Sequence, residues 1–301
     1  MKISLRTALA LGIAVFAIST SGPLIAYAAA PALALAFWRN AIATTVLAPA
    51  AALTRRAEIT ALRRDREIRW SVLAGVALAA HFATWMAAAQ LTKVATATAL
   101  GAAEPVWVGL IAVVLGSRLG RGTWIGIIAS VAGVIVATGA DLGGGSSQAL
   151  LGDLLAVAGG FFAAVYTVLG ERARRRASTT SYTTICYGVC ALVLGLGCVV
   201  SGVPLHGYAG SVWLAIIGLT IGTQLLGHSM LNYSLHEVSA TAVSVLVMLE
   251  VPGAALISWV WLHQRPTPLA WLGIAILVSG VAFVILGSAR DRRPITANPE
   301  P

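Results

Sequence analysis

Long apolar runs separated by short polar breaks dominate this chain. Ten runs cover residues 5–27, 31–53, 70–91, 94–116, 122–140, 149–170, 180–202, 210–233, 238–262 and 268–287. A helix needs about 20 largely apolar residues to cross a bilayer, and these runs lack the alternation that barrel strands show. Because backbone polar groups in lipid must be satisfied within the segment, the pattern predicts an all-α integral membrane protein with ten transmembrane helices.

Composition supports the same fold class. Of 301 residues, 58% are hydrophobic and 10% are charged, with a mean hydropathy of +0.87, whereas soluble domains are about 45–50% apolar and about 25% charged. The cysteines Cys186, Cys190 and Cys198 fall within one apolar run, which indicates small buried hydrophobes and no disulfide or metal site. The glycine-rich segment 141–148 lacks the lysine of a phosphate-binding loop. No cofactor is therefore expected.

The basic residues orient the predicted bundle. All lysines and arginines except Arg39, Lys93 and Arg265 fall in segments on one side, at residues 2–6, 55–69, 118–121, 172–176 and 290–293. The positive-inside rule makes that side cytoplasmic and predicts a multi-pass protein of the plasma (inner) membrane with both termini in the cytoplasm. These clusters lie between apolar runs and indicate topology, so we expect a lipid partner and no nucleic acid.

Three further segments complete the topology. Residues 141–148 and 202–210 are expected to be short external loops, and the tail 288–301 is expected to be disordered. Ala26-Tyr27-Ala28 resembles a signal-peptide cleavage site. The preceding apolar run exceeds the typical signal length of about 7 to 15 residues, so we expect the first span to be retained.

The chain repeats itself. A shift of 147 residues superposes residues 70–140 on 217–287 without a gap. The identical pairs include Gly75 with Gly222, His81 with His228, Pro105 with Pro252, Arg118 with Arg265, Trp124 with Trp271, Gly126 with Gly273, and Gly133 with Gly280. Chance alone explains matching alanines in such a chain, but not matching histidines, tryptophans and prolines.

The repeat predicts how the two halves are related. Residues 1–141 hold five predicted spans and 149–287 hold five more, so the second copy enters the membrane in the opposite direction. Inverted repeats are typical of secondary transporters, which place the substrate near the bilayer midplane at the repeat interface. Glycines on the fifth and tenth helices predict close packing with neighbours; they are Gly126, Gly133, Gly139, Gly273, Gly280 and Gly287.

The repeated motifs resemble the drug/metabolite transporter superfamily, EamA type. The resemblance is carried by the segments "LAAHFATWMAAAQLTKVATATALGAAEPVWVGL", "LLGHSMLNYSLHEVSATAVSVLVMLEVPGAALISWVWL", "WLGIAILVSGV", "FWRNAIATTVLAP" and "GDLLAVAGGFFAAVYTVLGERAR". It covers about residues 5 to 287. It implies ten helices in two inverted five-helix repeats, alternating access, and export of small metabolites such as amino acids or related compounds.

The chain departs from the family pattern at two places. Family members often end the fourth and ninth spans with a glutamate after Leu-Gly, where this chain has Ser117-Arg118 and Gln264-Arg265. The ninth span also has Glu250 one residue further from its proline than the Glu-Pro pattern at Glu104. A shift of one residue turns a helical side chain by about 100°, so Glu250 is expected on a different face.

Polar side chains within the apolar runs are the candidate substrate-binding residues. A charge at the bilayer centre costs about 2.5 to 3.5 kcal/mol, so such residues usually face a bundle interior or a wet cavity. The candidates are His81, Trp85, Glu104, Gln224, His228, Asn232, Glu250, Arg39 and Tyr166. Gln224, His228 and Asn232 are spaced four residues apart, which predicts one polar stripe on the eighth helix.

Each candidate also has a structural interpretation. The glutamates can be protonated and bonded to a neighbouring helix, and the histidines can join helices by hydrogen bonds. Trp85 and Tyr166 can be packing aromatics. Arg39 either snorkels or pairs with an acid, or it binds a substrate carboxylate.

Three classes of function follow. The leading interpretation is a secondary transporter of a small molecule, with no enzymatic activity. Whether two copies of the chain form a dimer is left open by the sequence. An intramembrane metal-dependent enzyme would need His81, His228, Glu104 and Glu250 around one ion, and the chain lacks an H-E-x-x-H motif. A structural membrane scaffold would fill its interior with side chains.

Overall fold

The structure is a computed structural model in which residues 4–92, 97, 100–138, 147–262 and 267–290 are described. Every element in these ranges is a helix. The helices are α1 (Leu5–Ser19), α2 (Ser21–Tyr27), α3 (Ala32–Thr54), α4 (Arg56–Arg64), α5 (Ile68–Leu91), α6 (Glu104–Val114), α7 (Arg121–Thr138), α8 (Ser147–Arg174), α9 (Thr179–Val200), α10 (Gly210–Gly218), π1 (Leu219–His228), α11 (Ser229–Ser234), α12 (Ala240–Val247), α13 (Glu250–Leu262) and α14 (Pro268–Arg290). Lys93, Gly139, Gln264, Arg265, most of the predicted loop 141–148 and tail residues 291–301 lie outside the described residues.

Six helical segments of the described residues are long and apolar enough to cross a membrane. They are Ala32–Thr54, Ile68–Leu91, Ser147–Arg174, Thr179–Val200, Gly210–Ser234 and Ala240–Ile257. Four further apolar helices are shorter, and they are Leu5–Ser19, Glu104–Val114, Arg121–Ala137 and Pro268–Val284. The described residues are thus all-α, and these ten helices lie inside or close to the predicted apolar runs.

Three predicted spans are broken within the described residues, and they are the first, the ninth and the fourth, which breaks just before Glu104. The first run breaks at Thr20, where the Thr20 hydroxyl donates to Ala17 O and Pro23 follows in the first turn of α2. The ninth run breaks between α12 and α13, just before Pro252. Proline removes a backbone donor and clashes with the preceding turn, and hydroxyls that bond back to the helix bend it further.

A short amphipathic helix, α4, occupies the arginine-rich segment between the second and third predicted spans. Its apolar side buries Leu62, which is 5% exposed, while its arginines stay exposed. The Glu58 carboxylate accepts a hydrogen bond from the backbone N–H of Ser178, at 2.6 Å. This bond links α4 to the start of α9 in the other half of the chain.

The eighth predicted span is helical throughout, but its middle is a π-helix. The Ser229 N–H donates to Gln224 O, five residues back, instead of the four of an α-helix.

The helix pairs follow two-fold symmetry. In the described chain, α1 packs on π1 and α11, while α5 packs on α8, and exchanging the two repeats converts one pairing into the other. The pairs α3 with α9, α6 with α12 and α7 with α14 each join equivalent helices of the two repeats. Self-complementary pairs of this kind define a two-fold axis.

The α7 and α14 pair shows the direction of that axis. A Cβ built on Gly133 would lie 2.8 Å from Gly273 O, and a Cβ on Gly126 would lie 2.9 Å from Gly280 O. Since Gly126 is equivalent to Gly273 and Gly133 to Gly280, each repeat presents the same pair of glycines to the other. The two helices run antiparallel, so the repeats are inverted, and the predicted close packing is confirmed at these four glycines.

Contacts close the bundle at both ends. At one end, Ser4 N–H donates to Glu237 at 3.1 Å and Ala240 N–H donates to Glu171 at 2.9 Å. We call this end, with the arginines of residues 55–69 and 172–176, the basic face. At the other end, the Trp38 indole donates to Leu205 O at 2.9 Å, and Thr92 donates to Asp153 at 2.8 Å.

Candidate functional site

The interface between the repeats contains a cavity of about 100 Å³. Its wall is built from α1, α2, α3, α5, α6 and the turn before it, α8, π1, α11, α12 and α13. Eight of the nine predicted candidates line it, and they are Arg39, His81, Trp85, Glu104, Tyr166, His228, Asn232 and Glu250. Their contact with a substrate stays a prediction.

His81 and Trp85 form the α5 wall. A carbonyl can only accept, so the 2.9 Å contact of His81 Nδ1 with Gly159 O places the proton on Nδ1 and leaves Nε2 as an acceptor. Trp85 lies one turn further along, and its ring stacks on the His81 ring with 6.3 Å between the ring centroids. A Cβ on Gly159 would lie 2.9 Å from Trp85 Cβ, so this glycine is what lets α8 approach Trp85.

His228, from the other repeat, reaches the same cavity. Its ring packs edge-on against Phe82 at 5.5 Å and near Tyr166 at 6.1 Å. Its Nδ1 is buried, and no described residue forms a hydrogen bond with it. The two repeat-related histidines share one cavity but differ in bonding, since among the described residues only the His81 ring bonds a backbone carbonyl.

Arg39 is the only lysine or arginine that the described residues contribute to the cavity wall. It is 1% exposed, and its Nε donates to Gln224 Oε1 at 2.8 Å. Gln224 in turn donates to Asn40 Oδ1 at 3.1 Å, and the guanidinium carbon lies 4.4 Å from the centre of the Phe82 ring. This network fixes the orientation of the guanidinium.

Gln224 itself does not line the cavity. It is fully buried, and its side chain contacts Arg39. A role of Gln224 in binding a substrate stays a prediction. Neither structural interpretation of Arg39 holds: it is buried, and no carboxylate of the described residues lies within 4.0 Å of its nitrogens.

Tyr166 and Asn232 form a second polar cluster. The Tyr166 hydroxyl lies 2.7 Å from Asn232 Nδ2 and 2.9 Å from its Oδ1. Behind them, the Tyr187 hydroxyl is 3.1 Å from Ser229 Oγ and 3.4 Å from Asn232 Nδ2. The cluster joins α8, α9 and α11, so two of the predicted candidates also hold helices together.

Glu104 and Glu250 each stand at the first residue of a helix that follows a break, α6 and α13. An acidic side chain is favourable at a helix N-terminus, because the unpaired N–H groups there carry partial positive charge. Both carboxyls line the cavity, although Glu250 was expected on a different face. The break before each glutamate resets the helical phase, so the one-residue offset does not separate them.

Thr167 holds the Glu104 carboxyl. The threonine hydroxyl lies 2.9 Å from Glu104 Oε1 and 2.9 Å from Ala163 O. A hydroxyl has one hydrogen to donate. The Thr167 hydroxyl therefore donates its hydrogen to the Glu104 carboxyl, to Ala163 O, or to both as a shared hydrogen bond.

Sequence reasoning missed several wall and support residues. Thr167 and Thr223 line the cavity, and Asn40 orders Arg39 through Gln224. Asn40 was detectable as a second polar residue next to Arg39 in an apolar run. Thr223 and Thr167 were not, because threonine is common in membrane helices and carries no charge.

A metal centre is not assembled by the described residues. They contain no group of three or more histidine, cysteine, aspartate and glutamate side chains that could hold an ion. The three cysteines are free and buried, and Cys186 and Cys190 belong to the hydrophobic core around Leu35 and Leu78.

The fold and cavity define an all-α membrane protein with two inverted repeats around a central polar cavity. The model of the EamA-like transporter family matches residues 5–139 and 150–286, nearly the whole chain. The chain belongs to this family, whose members are transporters, and the resemblance of its repeated motifs is confirmed.

Two individual proteins are similar over most of their length. An uncharacterized transporter of Archaeoglobus fulgidus is 25% identical over 217 residues, which are 70% of this chain and 73% of the relative. A protein of known crystal structure superposes with a TM-score of 0.77 and 22% identity, over 95% of this chain and 99% of the other. The second similarity establishes the fold alone.

Proposed function

We propose that this protein is a secondary transporter that exports small polar or amphipathic metabolites, such as amino acids and related compounds, by alternating access. The observation that carries the proposal is the polar cavity at the interface of two inverted repeats. An inverted pair gives one central site two related gates, one towards each side of the membrane. A structural scaffold is expected to fill its interior with side chains, whereas this cavity is lined by two histidines, two carboxyls and an arginine.

The proposal includes ten transmembrane helices in the plasma membrane with both termini in the cytoplasm. Four of these helices are the shorter apolar ones. Each of the four packs against a helix of the other repeat, following the two-fold symmetry described above. The basic face gathers Ser4, Glu58, Arg69, Arg172 and Ser178 at one end of the bundle. The positive-inside rule assigns that end to the cytoplasm.

The transport experiment compares cells that overexpress the wild-type chain with cells that express Glu104→Gln. Extracellular metabolites are measured by mass spectrometry, and the best hit is followed in proteoliposomes with and without a pH gradient. The matched control is Asp65→Asn, the same acid-to-amide change at an exposed side chain of the basic face.

We expect wild type and Asp65→Asn to raise the same extracellular compounds and Glu104→Gln to raise them at least about tenfold less. An extracellular profile identical to that of empty cells would contradict export. Equal flux with and without the gradient would remove proton coupling while leaving transport in place.

A further inference from the structure

Two arginines from different repeats converge on one tryptophan at the basic face. The guanidinium carbons of Arg69 and Arg172 lie 4.8 Å and 4.6 Å from the centre of the Trp70 ring, within the distance at which an indole attracts a cation. Arg69 and Trp70 belong to the first turn of α5, whereas Arg172 belongs to the last turn of α8. The ring therefore holds two positive charges close together where two packed helices meet.

The described part of the chain does not neutralise these two charges. The ion pairs of the basic face join other side chains, and they are Arg55 with Glu58, Arg64 with Asp65, and Arg175 with Glu171. No acid among the described residues lies within 4.0 Å of the guanidinium nitrogens of Arg69 or Arg172. Like charges held near each other repel, so the arrangement favours an anion from outside the chain.

The position of the three residues indicates the source of that anion. Arg69 and Trp70 begin the apolar segment Ile68–Leu91, and Arg172 ends the apolar segment Ser147–Arg174. Helix ends of this kind lie at the membrane surface, where tryptophan is enriched and basic pockets between helices suit anionic headgroups. Both arginines are exposed and the tryptophan is half-buried, so a headgroup can reach the two guanidinium groups.

Helix packing alone does not require these residues. The 147-residue shift places Ile216 and Ile217 of the second repeat where Arg69 and Trp70 stand in the first. The helix with the two isoleucines packs on its partner from the other repeat without this aromatic and basic pair. Because the repeats are inverted, the pair belongs to the basic face, while its isoleucine equivalents lie towards the opposite end of the bundle.

We propose that Arg69, Trp70 and Arg172 form a binding site for the phosphate group of an anionic phospholipid of the cytoplasmic leaflet. The two guanidinium groups donate to the phosphate oxygens, which their planar forks match, and the Trp70 ring supports both arginines. The bound lipid relieves the repulsion and joins α5 of the first repeat to α8 of the second. The assignment to the cytoplasmic leaflet rests on the proposed topology, whereas the site is independent of the transported molecule.

Native mass spectrometry of the purified full chain in detergent tests the site by lipid titration. The two probes are phosphatidylglycerol and phosphatidylcholine, which share the phosphate, although choline balances its charge in the second. We expect wild type to bind phosphatidylglycerol more tightly than phosphatidylcholine. The double variant Arg69→Gln/Arg172→Gln should bind phosphatidylglycerol at least about tenfold more weakly, because it loses hydrogen bonds to a charged group from two side chains.

The matched control is Arg56→Gln/Arg176→Gln. It removes one exposed arginine from each of the same two basic segments, so the net charge of the protein falls by the same amount. Its affinity for phosphatidylglycerol should stay within about threefold of wild type, because diffuse attraction to exposed charges is screened by salt. Equal weakening in the two double variants would assign lipid binding to the overall charge of the basic face and overturn the site.

Thermal unfolding in nanodiscs separates loss of the site from misfolding. In phosphatidylcholine, Arg69→Gln/Arg172→Gln should melt no lower than wild type, because a repulsion has been removed. Addition of phosphatidylglycerol should raise the melting temperature of wild type and of the control but not of this variant. If the double variant melts lower in phosphatidylcholine, Arg172→Gln alone decides the question, and it should bind phosphatidylglycerol at least about threefold more weakly than wild type.

Three further outcomes would overturn the proposal. The first is equal affinity of wild type for phosphatidylglycerol and phosphatidylcholine, since the charge of the lipid would then not be recognised. The second is an Arg172→Gln chain that binds phosphatidylglycerol as wild type does. The third is inorganic phosphate that raises the melting temperature of the chain in phosphatidylcholine as much as phosphatidylglycerol does, which would replace the lipid by a free anion.

Discussion

The Glu171 carboxylate, near the end of α8, accepts a hydrogen bond at 2.9 Å from the backbone N–H of Ala240, the first residue of α12. Ser239 caps the same helix by accepting from Ala242 N–H. A helix of eight residues is short and depends on its caps and its packing. Glu171 thus ties the first half of the broken ninth span to the sixth.

We therefore expect Glu171→Ala to loosen α12. Loss of a cap costs about 1 kcal/mol, which corresponds to local opening roughly fivefold more frequent. Hydrogen exchange measured by mass spectrometry in nanodiscs should show faster exchange at residues 240–247. Glu58→Ala is the reciprocal control, since Glu58 bonds Ser178; it should affect the start of α9 and leave α12 unchanged. Equal exchange of residues 240–247 in wild type and Glu171→Ala would show that this bond does not hold α12.

The glycine contact between α7 and α14 predicts a sharp stability difference between two alanine substitutions. A Cβ on Gly133 would lie 2.3 Å from the backbone nitrogen of Leu277, whereas a Cβ on Gly12 would have no atom within 4 Å. Overpacking of a rigid contact costs about 1–3 kcal/mol, so Gly133→Ala should lower the melting temperature by several degrees. Gly12→Ala should keep it or raise it, because alanine favours a helix by about 1 kcal/mol. If the two variants melt together, the repeats are not held by this close approach.

We expect the Thr167 hydroxyl to affect transport only through its hydrogen bond to the Glu104 carboxyl. Thr167→Val keeps the shape and removes the bond to the carboxyl, while Thr167→Ser keeps the bond. Loss of a hydrogen bond to an ionisable group costs about 1.5–3 kcal/mol, so exchange flux in proteoliposomes should fall at least about tenfold in Thr167→Val. Thr167→Ser should stay within about threefold of wild type. A similar loss in both variants would assign the effect to packing.

The sequence was sufficient for the features that depend on periodicity and repetition. The apolar runs predict the helices, and the 147-residue shift makes Gly126 and Gly133 the equivalents of Gly273 and Gly280, for which close packing with neighbours was predicted. Inversion followed from an odd number of spans per repeat, a purely topological argument. Polar side chains in lipid are rare enough that His81, His228, Glu104 and Glu250 could be singled out before any coordinates.

The contacts that a side chain makes with other helices could not be predicted from its spacing along the chain. Gln224 is buried against Arg39 although it lies four residues from His228. The break before Glu250 returns that residue to the cavity, where an unbroken helix would have turned it away. Arg39 was predicted as a candidate, but that none of the described residues bonds its Nη2 depends on how its neighbours fold.

The link between the N-terminus and the loop after the eighth span should depend on pH. Hydrogen bonds from the Thr7 side chain and the Ser4 backbone lower the pKa of Glu237 below its ordinary 4.5, and His236 Nε2 lies 3.3 Å from its carboxylate. A lowered pKa in the folded state means that the link is fully present above pH 4.5 and is lost as the pH falls through the lowered value.

Glu237→Gln should therefore melt below wild type at pH 7, and the two melting curves should converge on acidification under pH 4.5. Low salt should enlarge the difference, because the carboxylate is exposed and screened. A difference that stays constant from pH 7 to pH 3 would show that the charge of Glu237 does not contribute to the link.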